Sequence, residues 1–141
     1  MSEEVVVLRA RFTLEELWLA AAREDLSYSR YAAAGGYHAP AAFFAQQAAE
    51  KAVKVVHYLR GARAVIGHSV RALIEQLEPP EPSLHALLDA ARELDLLYIP
   101  TRYPNGLDSG TPGAAFGPGQ SMRAIDLAEQ CVLASAQITG V

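Results

Sequence analysis

Two short stretches of the chain hold residue types that handle phosphate. Arg60, Arg63 and His68 fall within RGARAVIGHS, and Arg102 and Tyr103 within YIPTRYPNG. His57 and Tyr58 lie just before Arg60 and can point into the same region. An imidazole moves a proton near neutral pH. A guanidinium grips phosphate through two parallel hydrogen bonds and stabilises charge that develops in a transition state. With RNA as substrate, the 2′-OH would be the internal nucleophile and no metal would be required. Arg63 and His68 are therefore candidate catalytic residues for phosphodiester cleavage; the alternative for His68 is a cap or surface role at the start of a helix.

Arg102 and Tyr103 stand between two prolines, and a residue before proline is biased towards extended backbone. A rigid Arg-Tyr-Pro segment fixes a guanidinium beside an aromatic ring, which suits contact with an anion or nucleotide. The competing expectation is an ion pair of Arg102 with Asp95 or Asp25 that pins the loop. Asp25 is itself unusual, because it falls on the apolar stripe of a helix, where an unpaired carboxylate is expensive. It either makes a structural hydrogen bond to a tyrosine or helix end, or forms one wall of a ligand or RNA site.

Other chemistries find little support. The four histidines, His38, His57, His68 and His85, show no helical pairing with one another, and neither HExxH nor paired ExxH is present, so no metal site is expected. The glycine-rich GTPGAAFGPG lacks the lysine of a phosphate-binding loop. The single cysteine, Cys131, excludes an internal disulfide, and its neighbours Val132 and Leu133 point to core packing. A net charge of -4 gives no general attraction to nucleic acid, although a local basic patch can act against it. With no signal peptide and no apolar run of membrane-spanning length, the cytoplasm is the expected compartment.

The elements that must position these residues read as helices throughout. The chain of 141 residues fits one domain, 1–141, and about half of it is apolar. Only VVVL at residues 5–8 resembles a strand, and it fits a frayed turn or an interface arm as well. Thr13 and Glu16 form a capping-box pattern before a helix over 14–34, with a stripe of Leu14, Leu17, Trp18, Ala21, Asp25, Tyr28 and Ala32; Gly35-Gly36 ends it. The central helix spans 41–60. Its two apolar lines, one through Phe44, Ala48, Ala52 and Val55 and one through Ala45, Ala49, Val53 and Val56, make a broad face, while Gln46, Glu50, Lys54 and His57 form a polar line expected to meet solvent. A short helix begins at His68 or Ser69, and a fourth covers about 83–98. A Gly/Pro-rich connection over 99–119 follows, of a length that is usually functional or mobile. The last helix runs from about 121 to 139, with Met122, Ile125, Ala128 and Val132 on its face. The expectation is an all-α, up-and-down bundle of about five helices with a long loop before the last.

The run FFAQQAAEKAVKVVHYLRG, the later GHSV, the segment YIPTRYPNG and the opening WLAAAREDLSYSRYA together resemble the HEPN domain family (higher eukaryotes and prokaryotes nucleotide-binding) over about residues 14–136. The resemblance implies an all-helical bundle, often a homodimer, commonly encoded beside a small nucleotidyltransferase in a two-component module of toxin-antitoxin type. No cofactor is implied. Many members look like metal-independent endoribonucleases with an arginine and a histidine four to six residues apart, a spacing that Arg63 and His68 satisfy. In those members the pair sits late in the bundle and faces its counterpart across a dimer. Here it lies between the second and third helices, and the last helix has Arg123 but no histidine. The weight therefore falls on a subunit that pairs with a nucleotidyltransferase and binds nucleotide, with endoribonuclease as the alternative. Under the resemblance His68 is a general base or orients the 2′-OH, and Arg63 stabilises the transition state. Asp25 orients Arg63 or Arg102, while Arg102 and Tyr103 hold a nucleotide's phosphate and base or close the cleft.

Overall fold

The structure is a computed structural model that describes residues 12–140; the VVVL run lies outside them. Within the described residues seven α-helices follow one another: α1 (Leu14–Ala34), α2 (His38–Leu59), α3 (Val70–Glu75), α4 (Pro82–His85), α5 (Leu88–Asp95), α6 (Pro112–Ala115) and α7 (Pro118–Thr139), with a 3-10 turn at Pro104–Gly106. The long helices α1, α2 and α7 form an up-and-down bundle, and the short helices pack on α2 and α7.

Helix α1 begins where the capping pattern places it. The Thr13 hydroxyl accepts the Glu16 N–H at 3.2 Å, and Glu15 and Glu16 sit at the positive end of the helix dipole. It ends at Gly35-Gly36, where Gly36 adopts φ +83°, a left-handed turn that glycine enters without steric cost. The face it buries is not the expected stripe. Leu19, Ala22, Asp25, Leu26 and Ser29 are buried, whereas Leu14, Leu17 and Tyr28 are about half exposed. The helix carries two apolar lines, and the one through Leu19, Ala22 and Leu26 enters the common core beneath α2 and α7.

Helix α2 is the middle of the bundle. Its alanines 42, 45, 48, 49 and 52 are fully buried, and their small side chains let α1 and α7 approach from two sides. Val53, Val55 and Val56 fill the space between, each burial being favourable by roughly 1.5–3 kcal/mol. Helix α7 buries Ala124, Leu127, Ala128, Cys131 and Val132 against it, while Met122, expected on that face, is exposed. Burial pushes the Cys131 thiol up to about 12, with the Asp95 carboxylate adding to the effect, so the thiol stays neutral in the core.

The single helix expected over 83–98 is two. Leu87 donates its N–H to Leu84 O three residues back rather than four, and the chain bends there between α4 and α5. The bend directs Ala90, Ala91 and Leu94 into the core and sets Asp95 at the end of α5 facing the start of α3. The 99–119 connection is not structureless either. It holds the 3-10 turn and α6, capped by Thr111, whose hydroxyl accepts the Ala114 N–H.

Asp95 ties α3 to α5. Its carboxylate accepts from the Ser69 hydroxyl at 2.7 Å and from the Val70 and Arg71 N–H groups at 2.6 and 3.2 Å, while the Ser69 oxygen accepts the Ala72 N–H at 3.0 Å. A six-residue helix cannot hold itself together in water, so these caps decide whether α3 forms. Asp95→Ala should lower stability by about 1–3 kcal/mol, read as a lower urea midpoint with an unchanged slope.

Candidate functional site

The site forms where the middle of α2 meets the connection from residues 60 to 69 and the turn that follows α5. Helix α2 supplies Phe43, Gln46, Gln47, Glu50 and Lys54. The polar line expected to face solvent is in fact buried, with Gln46 0%, Glu50 3% and Lys54 6% exposed. A helix packed on nearly its whole circumference has no free face left, and the polar line is covered by α3 and its lead-in. His57, on the same line, donates from Nε2 to Leu73 O at 2.8 Å and so anchors α3 rather than joining the site.

Glu50 is the hub. Its Oε1 accepts from His68 Nδ1 at 3.0 Å and its Oε2 lies 3.3 Å from Lys54 Nζ. Gln46 Nε2 donates to the His68 carbonyl at 2.9 Å, and Gln47 Nε2 donates to Gln46 Oε1 at 2.7 Å. His68 is thus held by both backbone and ring. With the proton on Nδ1 facing the carboxylate, Nε2 carries the free lone pair, and the side chain is 61% exposed. The ring stacks on Tyr98 with centroids 4.8 Å apart. Beside it His68, Ser69, Asp95, Tyr98 and Ile99 line an open cleft of ≈ 220 Å³.

Arg102 lies against the same tyrosine. Its guanidinium carbon is 4.3 Å from the Tyr98 ring centre, 4.7 Å from Phe43 and 4.9 Å from Tyr103, and its Nε donates to Tyr98 O at 3.0 Å. The expected ion pair with Asp95 or Asp25 is not made. Asp95 is engaged by the start of α3, and Asp25 meets Lys51 Nζ at 2.6 Å. That pair is the reason a carboxylate is tolerated in the α1 interface. Asp25 contacts neither Arg63 nor Arg102. Arg102 is instead held by rings, a favourable setting for a cation that leaves its terminal N–H groups unclaimed by any carboxylate.

The other candidates stand apart. Arg63 is exposed on the 60–69 connection, and no hydrogen bond or ion pair joins it to His68. Arg60 is spent on Pro79 O and Glu81. Arg123 is held by Glu93 at 3.0 and 3.1 Å, and that hydrogen bond holds the Glu93 carboxyl below its usual range. Tyr103 is half exposed at the edge of the Arg102 stack. Sequence reasoning missed Glu50, Lys54, Gln46, Phe43 and Tyr98. The signal for the first three was a polar line at spacing four, with Gln47 and Lys51 beside it, on a helix whose other positions are mostly apolar. Among the described residues no group of three or more acidic, histidine or cysteine side chains is placed to hold a metal ion.

Replacing Glu50 alone by alanine would strand the Lys54 ammonium in the core, at a cost of roughly 3–5 kcal/mol. The joint change Glu50→Leu with Lys54→Met should recover most of that loss in urea denaturation, because it removes both charges while keeping the volume.

The HEPN domain family profile matches residues 15–137. The crystal structure of TT1696 from Thermus thermophilus is similar with TM-score 0.82 and 34% identity, covering 89% of this chain and 98% of that one. The crystal structure of ST0689, an archaeal HEPN homologue, is similar with TM-score 0.72 and 34% identity, covering 90% of this chain and 99% of that one. No protein of curated function matches the sequence. Among the described residues no helix is long and apolar enough to cross a membrane. The sequence match over most of the chain and the shared helical bundle agree: this chain belongs to the HEPN domain family.

Proposed function

We propose that the chain is a homodimeric HEPN subunit that binds a nucleotide at the cleft beside His68, Tyr98 and Arg102, and that it works as one half of a two-component, toxin-antitoxin-type module with a small nucleotidyltransferase. The observation that carries the reading is Arg102. A guanidinium fixed over three aromatic rings, with no carboxylate neutralising it, is built to receive an anion from outside the chain. Tyr103 offers a half-exposed ring for a base beside Arg102, and His68, which lines the cleft with Tyr98, offers Nε2 as a second polar contact. Arg102→Ala should weaken nucleotide binding about tenfold or more by isothermal titration calorimetry, with the helical circular dichroism unchanged. The partnership is tested separately, by co-purification of the chain with the nucleotidyltransferase encoded beside it.

A second reading is favoured by one feature, the Glu50–His68 pair. A carboxylate behind Nδ1 holds the tautomer that turns the Nε2 lone pair outward, the arrangement a metal-independent endoribonuclease needs to take the proton of a 2′-OH. In that reading Arg63 swings over the cleft from its glycine-flanked connection to stabilise the pentacoordinate phosphorus. Purified protein incubated with labelled RNA in EDTA should then cut it, and His68→Ala and Arg63→Ala should each abolish cutting. Intact RNA with the folded wild-type chain would leave nucleotide binding as the function.

A further inference from the structure

We infer that the cleft selects a nucleotide with a single phosphate, a nucleoside monophosphate, and gains nothing from a second or third. This rests on the reading that the cleft binds a nucleotide, and it follows from where the positive charge of the chain has been spent. Apart from Arg23, Arg63 and Arg102, every lysine and arginine among the described residues is held by a carboxylate. Arg23 lines a different groove, with Leu26 and Leu133 between α1 and α7. Arg63 is exposed on its connection. Among the described residues Arg102 is the one unpaired cation held against a ring that lines the cleft, that of Tyr98, and its Nε is already committed to Tyr98 O, so its terminal N–H groups match one phosphate.

The backbone at the start of α3 offers no further seat. The N–H groups that open α3, which border the cleft, are taken by the Asp95 carboxylate, and so is the Ser69 hydroxyl. An internal carboxylate thus occupies the position where a second phosphate would otherwise find donors. The described residues provide no acidic cluster to hold a metal ion between neighbouring phosphates. Each added phosphate would bring negative charge towards Asp95 on a chain of net charge -4, with no second fixed cation among the described residues to meet it. A monophosphate avoids this: its oxygens meet Arg102 and His68 Nε2 while its base lies against Tyr103.

The test is calorimetric titration of the full chain with AMP, ADP and ATP, and with GMP, GDP and GTP, at fixed ionic strength, in EDTA and again with Mg²⁺. The expected result is that, for the base that binds, the monophosphate binds at least as tightly as the triphosphate, to within about threefold. Arg102→Gln should lose that binding and Arg23→Gln keep it, with folding of both checked by circular dichroism. Affinity that climbs about tenfold or more from mono- to triphosphate in the wild-type chain would overturn the inference and leave nucleotide binding standing. Should none of the six bind the wild-type chain, the nucleotide reading itself falls and takes the inference with it. The wild-type series decides the matter even if Arg102→Gln fails to fold.

Discussion

Glu50 is a carboxylate buried in the middle of a helix that has no free side, and an ionised group in that position survives only if the surroundings answer it. Lys54 answers the charge from one turn along the same helix, and His68 answers the remaining lone pairs from outside it. The second of these fixes the fold as well as the site. For His68 to reach Glu50, the chain leaving α2 must turn back over its own helix. Gly61 makes that return possible, with φ +98° just beyond the last turn. Gln46 then takes the His68 carbonyl, so the connection is held at backbone and side chain together. The position of α3 follows, since it starts two residues later.

The same logic explains why the chain uses Asp95 as it does. A six-residue helix whose first N–H groups lie against the bundle cannot leave them unpaired. Asp95 satisfies two of them and the cap hydroxyl, which locks α5 to α3 and thereby sets the turn carrying Tyr98 and Arg102. Arg102 is left without a carboxylate, and Asp95, the partner expected for it, is engaged by the start of α3. The aromatic cage is what makes that tolerable: three ring faces stabilise the cation without neutralising it. One ion pair, one cap and one cage thus converge on Tyr98, whose ring touches both His68 and Arg102.

Much of the scaffold could be read from the sequence, because its signals are local. The Thr13 cap, the Gly35-Gly36 stop and the centrality of an alanine-rich helix all depend on near neighbours along the chain. Errors arose where two solutions satisfied the same periodicity. Helix α1 has apolar lines on two sides, and only the tertiary packing selects the one through Leu19 and Leu26. Leu84, Leu87, Leu88 and Leu94 fit one continuous stripe, yet the chain breaks at Leu87 to turn α5 inward. The candidate site was legible as residue types. His68, Arg102 and Tyr103 could be picked out by chemistry, but their partners could not, because Glu50 and Tyr98 are 18 and 30 positions from His68 and nothing local marks them as neighbours.

The burial of Gln46, Glu50 and Lys54 also changes what a polar line on a helix signifies. Such a line is ordinarily the solvated face. This one is flanked on one side by Ala42, Ala49 and Val53, all fully buried, and on the other by Gln47, Lys51 and Tyr58, which are only partly buried. Gln46, Glu50 and Lys54 lie on the packed side of that boundary, so their side chains must find partners within the protein. A charged residue on it then has only two outcomes, an internal ion pair or a role for which its cost is accepted. Glu50 combines the two, since one oxygen neutralises Lys54 and the other orients the exposed imidazole of His68. The buried polar strip connects the centre of the bundle to the cleft, and any change in His68 at the surface acts on a charge pair in the core.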